Sequence, residues 1–103
     1  MSQAIRIRTR REGALVNVQI LMPHPMETGM RQDENGRLVP AHHITDVVVT
    51  LGERKVFAAR MSIAVSRDPL LSFRMSSARA GQALRVAWTD SQGQTRNDTA
   101  VIA

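Results

Sequence analysis

Hydrophobic residues recur along this chain with a period of two. Val16, Val18, Ile20 and Met22 fall on one side of the run 14–22, and Asn17 and Gln19 on the other. Ile5 and Ile7 alternate with Arg6, Arg8 and Arg10, and Leu84, Val86 and Trp88 alternate with Arg85 and Thr89. Successive side chains of a strand point to opposite faces, so this alternation predicts strands with one buried and one wet face. Val47-Val48-Val49 is a continuous β-branched run, which suits a central strand. Turn residues separate the runs at Gly52-Glu53-Arg54, Ala80-Gly81 and Asp90-Ser91-Gln92-Gly93. The pattern predicts seven strands, at 4–10, 14–22, 44–52, 55–61, 71–77, 83–90 and 94–102. Short strands at this spacing predict an all-β fold, an antiparallel sandwich of two sheets. No segment carries a helical stripe, and 62–70 suits a single helical turn or a crossover between sheets.

One stretch breaks the alternation. From Pro23 to His43 the chain is polar and bears proline and glycine. So long a connection is uncommon in a small domain and tends to carry function. Asn35-Gly36 is a strong turn signal and predicts a two-armed excursion with a tight tip.

A length of 103 residues predicts one domain, 1–103, large enough to bury a core without staples. Cysteine is absent, which excludes disulfides, thiolate nucleophiles and cysteine-based metal sites in this chain. The net charge of +5 comes almost wholly from arginine, with Lys55 the single lysine. A basic balance suits nucleic acid, an anionic membrane surface or an acidic protein partner. Nucleic-acid modules usually add aromatic platforms, and here Phe57, Phe73 and Trp88 are all assigned to the core. No run approaches the ~20 apolar residues of a membrane-spanning helix. The segment Met1–Glu12 has no apolar run behind it and does not read as a secretory signal, which by itself points to the cytoplasm.

Candidate chemistry concentrates in the polar stretch. His24, His42 and His43 are possible zinc or copper ligands. Adjacent histidines on an extended chain point to opposite sides, so one of His42 and His43 at most serves a given site. The reading favoured is local hydrogen bonding or solvation, with no metal. Glu27, Asp33 and Glu34 could act as acid and base, but Arg31 and Arg37 lie among them and favour local ion pairing. Ser62, Ser66 and Ser72 with Asp68 and a histidine could form a triad, yet no nucleophile-elbow pattern surrounds them. Arg6, Arg8 and Arg10, with Arg11 beside them, form a row that reads as a solvated face guarding an edge strand. Contact with an acidic partner or with phosphates is the alternative.

The polar stretch reads His24-Pro25-Met26-Glu27-Thr28-Gly29, then Arg31, Asp33, Gly36 and Pro40 before Ile44. This resembles the signature of SoxZ proteins. Val56-Phe57, Ile63-Ala64 followed by Asp68-Pro69, and Trp88-Thr89-Asp90 with Gly93 are similar to later family motifs and fall in the right order. The resemblance covers residues 5 to 103. Two positions depart from the family pattern: Asp68 stands for the usual asparagine, and leucine stands for tyrosine after Pro69.

The resemblance implies an immunoglobulin-like sandwich with no catalysis and no cofactor of its own. It implies a heterodimer with a SoxY-type protein, whose C-terminal arm carries sulfur on a cysteine in thiosulfate oxidation. Other Sox enzymes would meet the complex transiently. It implies a periplasmic location without a signal peptide of its own, the chain being exported with its partner. Neither nucleic acid nor membrane is an expected partner, and a free partner face allows self-association when alone. His24, Pro25, Met26, Glu27 and Arg31 are the expected partner-binding surface, with an ion pair between Glu27 and Arg31 that merely shapes the loop as the alternative. The competing assignment is a SoxZ-like periplasmic binding domain serving another carrier or a dehydrogenase.

Overall fold

A computed structural model describes residues 3–76 and 78–103. It contains seven strands: β1 (Arg6–Glu12), β2 (Leu15–Leu21), β3 (Ile44–Leu51), β4 (Arg54–Arg60), β5 (Leu70–Met75), β6 (Ala83–Asp90) and β7 (Thr95–Val101). No helix occurs among the described residues. One antiparallel sheet has the order β1-β2-β5 and the other β4-β3-β6-β7. The expected all-β sandwich is therefore observed. Of the segment 62–70, residues 62–69 form a crossover with one turn, closed by Val65 N–H donating to the Ser62 carbonyl at 3.2 Å, and Leu70 already begins β5. The predicted end of the 71–77 strand at Ser77 lies outside the described residues, as do Met1 and Ser2.

Alternation places the core. Val16, Val18 and Ile20 from β2 meet Val47, Val49 and Leu51 from β3 and Leu84, Val86 and Trp88 from β6. These three strands are flanked on both sides within their sheets, so their inward residues are fully covered. Each such Val, Leu or Ile contributes about 1.5–3 kcal/mol relative to exposure. Phe57 and Phe73 differ from the expectation. They lie on the edge strands β4 and β5, are half-buried, and stack on each other at 5.1 Å with planes 4° apart. They close one side of the sandwich without entering its centre.

β1 runs two residues further than the alternation shows. Arg11 and Glu12 pair with Val16 and Leu15. The Arg11 guanidinium also donates to the carbonyls of Ala78 (3.1 Å) and Ala103 (3.4 Å). Arg6, Arg8 and Arg10 share one exposed face of β1, as the period of two requires.

Candidate functional site

The stretch between β2 and β3 forms a finger. Glu27 and His42 exchange backbone hydrogen bonds at its base (2.7 and 2.9 Å). Further out, Gln32 faces Leu38, with Val39 N–H donating to Arg31 O and Asp33 N–H to Arg37 O, both at 2.8 Å. At the tip, Asp33 Oδ1 accepts the Asn35 and Arg37 amides, and Gly36 takes φ +78°. Asn35-Gly36 thus forms the expected tight tip. The arms approach closely at Gly29, which has φ +85° and whose missing Cβ would lie 3.1 Å from the Ala41 Cβ. Gly29→Ala is expected to cost about 1–2 kcal/mol through both strain and contact. Urea titration reads this, and an unchanged midpoint would refute it.

Both arms are clasped to one buried carboxylate. Asp90 ends β6, and its side chain is fully buried. Its Oδ2 accepts His24 Nε2–H at 3.0 Å from the outgoing arm and His42 Nε2–H at 2.7 Å from the returning arm. Its Oδ1 accepts the Gln92 and Gln94 amides at 3.0 and 2.9 Å, which shapes the β6–β7 turn. Four donors thus use the acceptor capacity of one carboxylate. Around this clasp, His43 N–H donates to Ser91 Oγ (3.1 Å) and Ser91 N–H to His43 O (2.8 Å). His24 packs edge-on against Trp88 at 5.1 Å and against His42 at 4.6 Å.

The hydrogen bonds set the tautomer of His24. Met26 N–H donates to Nδ1 at 3.1 Å, so Nδ1 carries the lone pair and Nε2 the proton. His24, His42 and Asp90 place ligand-type atoms within 4.8 Å of one another, the geometry of a cation site. The donor set does not fit one. A cation on His24 Nε2 requires the proton to move to Nδ1, and that atom already faces an N–H. The cluster is a hydrogen-bonded clasp. Added zinc is expected to leave the melting temperature unchanged, and a rise of several degrees would mark a metal site.

A pocket of about 300 Å³ opens beside the clasp, between Pro23, Pro25, Arg67, Asp68 and Gln94. Asp68 pins the outgoing arm there. Its Oδ1 accepts His24 N–H at 2.9 Å and its own N–H donates to His24 O at 3.0 Å. Its φ is +53°, a left-handed conformation that Asp and Asn adopt more readily than other side chains.

Comparisons with known proteins now bear on this arrangement. The family model described as "Sulphur oxidation protein SoxZ" matches residues 5–101. The chain belongs to the SoxZ family. No curated protein sequence matches it. Among solved structures, the superoxide reductase (neelaredoxin) from Archaeoglobus fulgidus in its reduced form aligns over 100% of this chain and 91% of that one. Its TM-score is 0.70 and its identity 18%. A superoxide reductase in the oxidised state aligns over 99% of this chain and 89% of that one, with TM-score 0.69 and 18% identity. A hypothetical protein from Pyrococcus horikoshii OT3 covers the same shares, with TM-score 0.65 and 19% identity. At these identities the likeness shows the fold alone.

The residues singled out in the SoxZ signature divide by burial. His24 and Met26 are buried. Met26 has φ +49°, and its sulfur accepts Ile44 N–H at 3.2 Å. Pro25 is exposed at the pocket. Glu27 and Arg31 bind each other through three contacts of 2.9–3.1 Å, the loop-shaping pair weighed as the alternative. This pair lowers the pKa of Glu27 and raises that of Arg31. His24 and Met26 build the finger's base from inside, and His24 also lines the pocket beside the clasp. His24 is not solvated, and the local bonding that sequence reasoning favoured accounts for one ring nitrogen only: Nδ1 accepts the Met26 amide, while Nε2–H donates to a residue 66 positions away. His42 joins the clasp and His43 does not. The serines form no triad: none of Ser62, Ser66 and Ser72 bonds a histidine among the described residues, and Ser62 Oγ accepts the Ala64 amide.

Asp90 is the residue the sequence reading missed. The sequence places it at the end of a strand, in a turn and in a family-like motif, and gives it no part in a site. It also continues the inward series Leu84, Val86, Trp88, and a carboxylate in phase with a buried face signals a buried acceptor.

The clasp makes the stability of this chain depend on pH. Burial lowers the His24 pKa below its ordinary 6.5, against the opposing Asp90 hydrogen bond. Below pH ~6.5 the unfolded chain takes up a proton that the folded chain refuses, so stability falls as pH drops toward the lowered value. For Asp90, burial alone would raise the pKa, but the hydrogen bonds from His24, His42 and the Gln94 and Gln92 amides hold it down. Its contribution is complete above the usual carboxylate range and is lost as pH falls through its depressed value. The melting temperature should therefore decline between pH 7.5 and 5, and His24→Asn should flatten that slope. An equal slope in the variant would refute the assignment.

Proposed function

We propose that this chain is the non-catalytic binding subunit of a sulfur-carrier heterodimer, pairing with a SoxY-type protein in thiosulfate oxidation. The observation that carries this reading is membership of the SoxZ family in a chain without cysteine. Covalent carriage of sulfur on a thiol must then fall to the companion. The heterodimer works in the periplasm, where this chain arrives with its partner and meets other Sox enzymes transiently. The arrangement of the clasp supports a scaffold role: its histidines and carboxylate are spent on one another and hold the finger in place. A rigid base limits the ordering cost when a partner binds.

The test is co-expression with a SoxY-type carrier, followed by intact-mass measurement of the complex with and without thiosulfate. A stable 1:1 complex is expected, with any added sulfur mass on the companion. An adduct on this chain, or no complex, would sink the proposal. Preferential capture of a different carrier or a dehydrogenase would favour the competing assignment.

A further inference from the structure

The outer face of the three-stranded sheet carries charge of a single sign. Backbone register lays it out in three rows: Arg6–Leu21–Leu70, Arg8–Gln19–Ser72 and Arg10–Asn17–Arg74. Val16, Val18 and Ile20 of β2 are buried on the opposite side, so these rows point outward. Arg6, Arg8, Arg10 and Arg74 are all exposed. The three arginines of β1 repeat about every 6.7 Å, and the face spans about 13 Å by 10 Å between Cα atoms. Glu12 is the one carboxylate in the three strands, and it sits at the end of the row, 3.7 Å from Arg10. Arg6, Arg8 and Arg74 pair with no carboxylate among the described residues. Charge of either sign guards an edge strand. The edge strand β7 carries both, with Arg96 set against Asp98 at 2.9 Å. Edge protection therefore does not account for a face of one sign, whose like charges repel one another.

We infer that this face docks an extended acidic segment of another protein, with carboxylates at alternate positions over Arg6, Arg8 and Arg10 and an apolar side chain over Leu21 and Leu70. An extended chain repeats every two residues at the same spacing of about 6.7 Å. Carboxylates along one side of it fall in register with the guanidinium groups, each of which takes a carboxylate through two parallel N–H bonds. Nucleic acid fits less well. Its phosphates would find charge here, but its bases would find no platform: Phe57 and Phe73 stack on each other against the core, and Trp88 is buried. Leu70, 61% exposed beside Leu21 and Arg6, gives a phosphate backbone nothing to bind. The cores of stable interfaces are depleted of charge, which makes this face a poor seat for a permanent subunit. The acidic partner is therefore additional to the proposed carrier. A small contact held by exposed ion pairs, each worth about 0.2–1 kcal/mol, gives fast, weak and salt-sensitive association.

The experiment titrates the full chain into a fluorescent peptide of alternating glutamate and serine with leucine at both ends, read by anisotropy at about 50 mM salt. Arg6→Gln/Arg8→Gln/Arg74→Gln should bind about tenfold more weakly than the unaltered chain. Lys55→Gln/Arg60→Gln/Arg85→Gln removes the same charge from exposed positions on the outer face of the other sheet. It should stay within about threefold. Unchanged melting temperatures establish folding. If the first variant fails to fold, Arg8→Gln replaces it, with about a threefold loss expected against none for Arg85→Gln. Leu70→Ser should cost about threefold on this peptide and nothing on one whose leucines are replaced by serine. Equal losses in the two triple variants would show that net charge alone attracts the peptide and would overturn the assignment of this face. No binding by the unaltered chain, or binding that survives about 0.5 M salt, overturns it as well. An oligothymidylate of equal charge that binds more tightly than the peptide, and that the first variant releases, overturns it in favour of nucleic acid. No effect of Leu70→Ser on the leucine peptide overturns the apolar contact.

Discussion

Asp90→Ala is expected to lower folding stability by about 3–5 kcal/mol, the usual cost of breaking a buried charged network by removing one partner. The carboxylate is fully buried and accepts four donors: two imidazoles and two backbone amides. Alanine leaves all four without an acceptor, and each unpaired buried donor costs about 1–3 kcal/mol if water does not reach it. For a chain of this size the melting temperature should fall by roughly 15–30 °C. Asp90→Asn keeps one acceptor oxygen and should lose about half as much. His42→Ala removes one donor at a partly exposed position and should cost the least of the three. Hydrogen exchange separates clasp from core. The amides of Glu27 and His42 at the finger's root should lose protection in Asp90→Ala before those of Val47 and Val86. A loss below about 1 kcal/mol, or uniform exchange across the fold, would show that the four bonds do not act as one clasp.

The strands are legible in the sequence where one face is buried and the other wet. β2 and β6 show this, because Val16, Val18, Ile20 and Leu84, Val86, Trp88 mark the inward face without exception. The extension of β1 is illegible. Arg11 and Glu12 lie on an edge strand where both faces meet solvent, and ladder pairing with β2 holds them without any apolar signal. Phe57 and Phe73 read as core by residue type. Their actual position depends on which strands become edges, and that is decided by sheet order. The clasp is harder still. His24 and His42 lie 66 and 48 positions from Asp90, so only the fold brings them together. What local sequence did contain was Asp90 in phase with three buried residues, a clue hidden because aspartate before glycine also signals a turn. Both readings hold at once, one for each carboxylate oxygen.

The departures from the family pattern have physical consequences of different weight. Asp68 replaces asparagine at a position with φ +53°, where its Oδ1 accepts the His24 amide. Either side chain supplies that oxygen and tolerates that conformation, so the exchange leaves the arm pinned. Leu70 replaces tyrosine at the start of β5 and is 61% exposed. Opposite it stands Leu21, and the pair gives the outer face of the smaller sheet an apolar corner beside Arg6. The change therefore alters what the surface offers and leaves the fold undisturbed.

Trp88→Ala should match Asp90→Ala in size for a different reason. The indole is 1% exposed and packs edge-on against His24. Removing a buried tryptophan forfeits its transfer energy and leaves a cavity that the two sheets cannot close, at about 3–5 kcal/mol. Trp88→Phe isolates a second effect. The buried indole N–H has no hydrogen-bond partner among the described residues. Phenylalanine fills most of the same space and removes that unpaired donor, whose burial costs about 1–3 kcal/mol. The smaller ring loses contacts in compensation, so the net change should lie within about 1 kcal/mol of the unaltered chain. Because Trp88 is the sole tryptophan, both variants must be followed by circular dichroism in denaturant, whereas the unaltered chain can also be followed by fluorescence. If Trp88→Phe costs as much as Trp88→Ala, the indole N–H has an acceptor, and the pocket between Pro25 and Gln94, which the indole helps to line, is where a bound water would supply it.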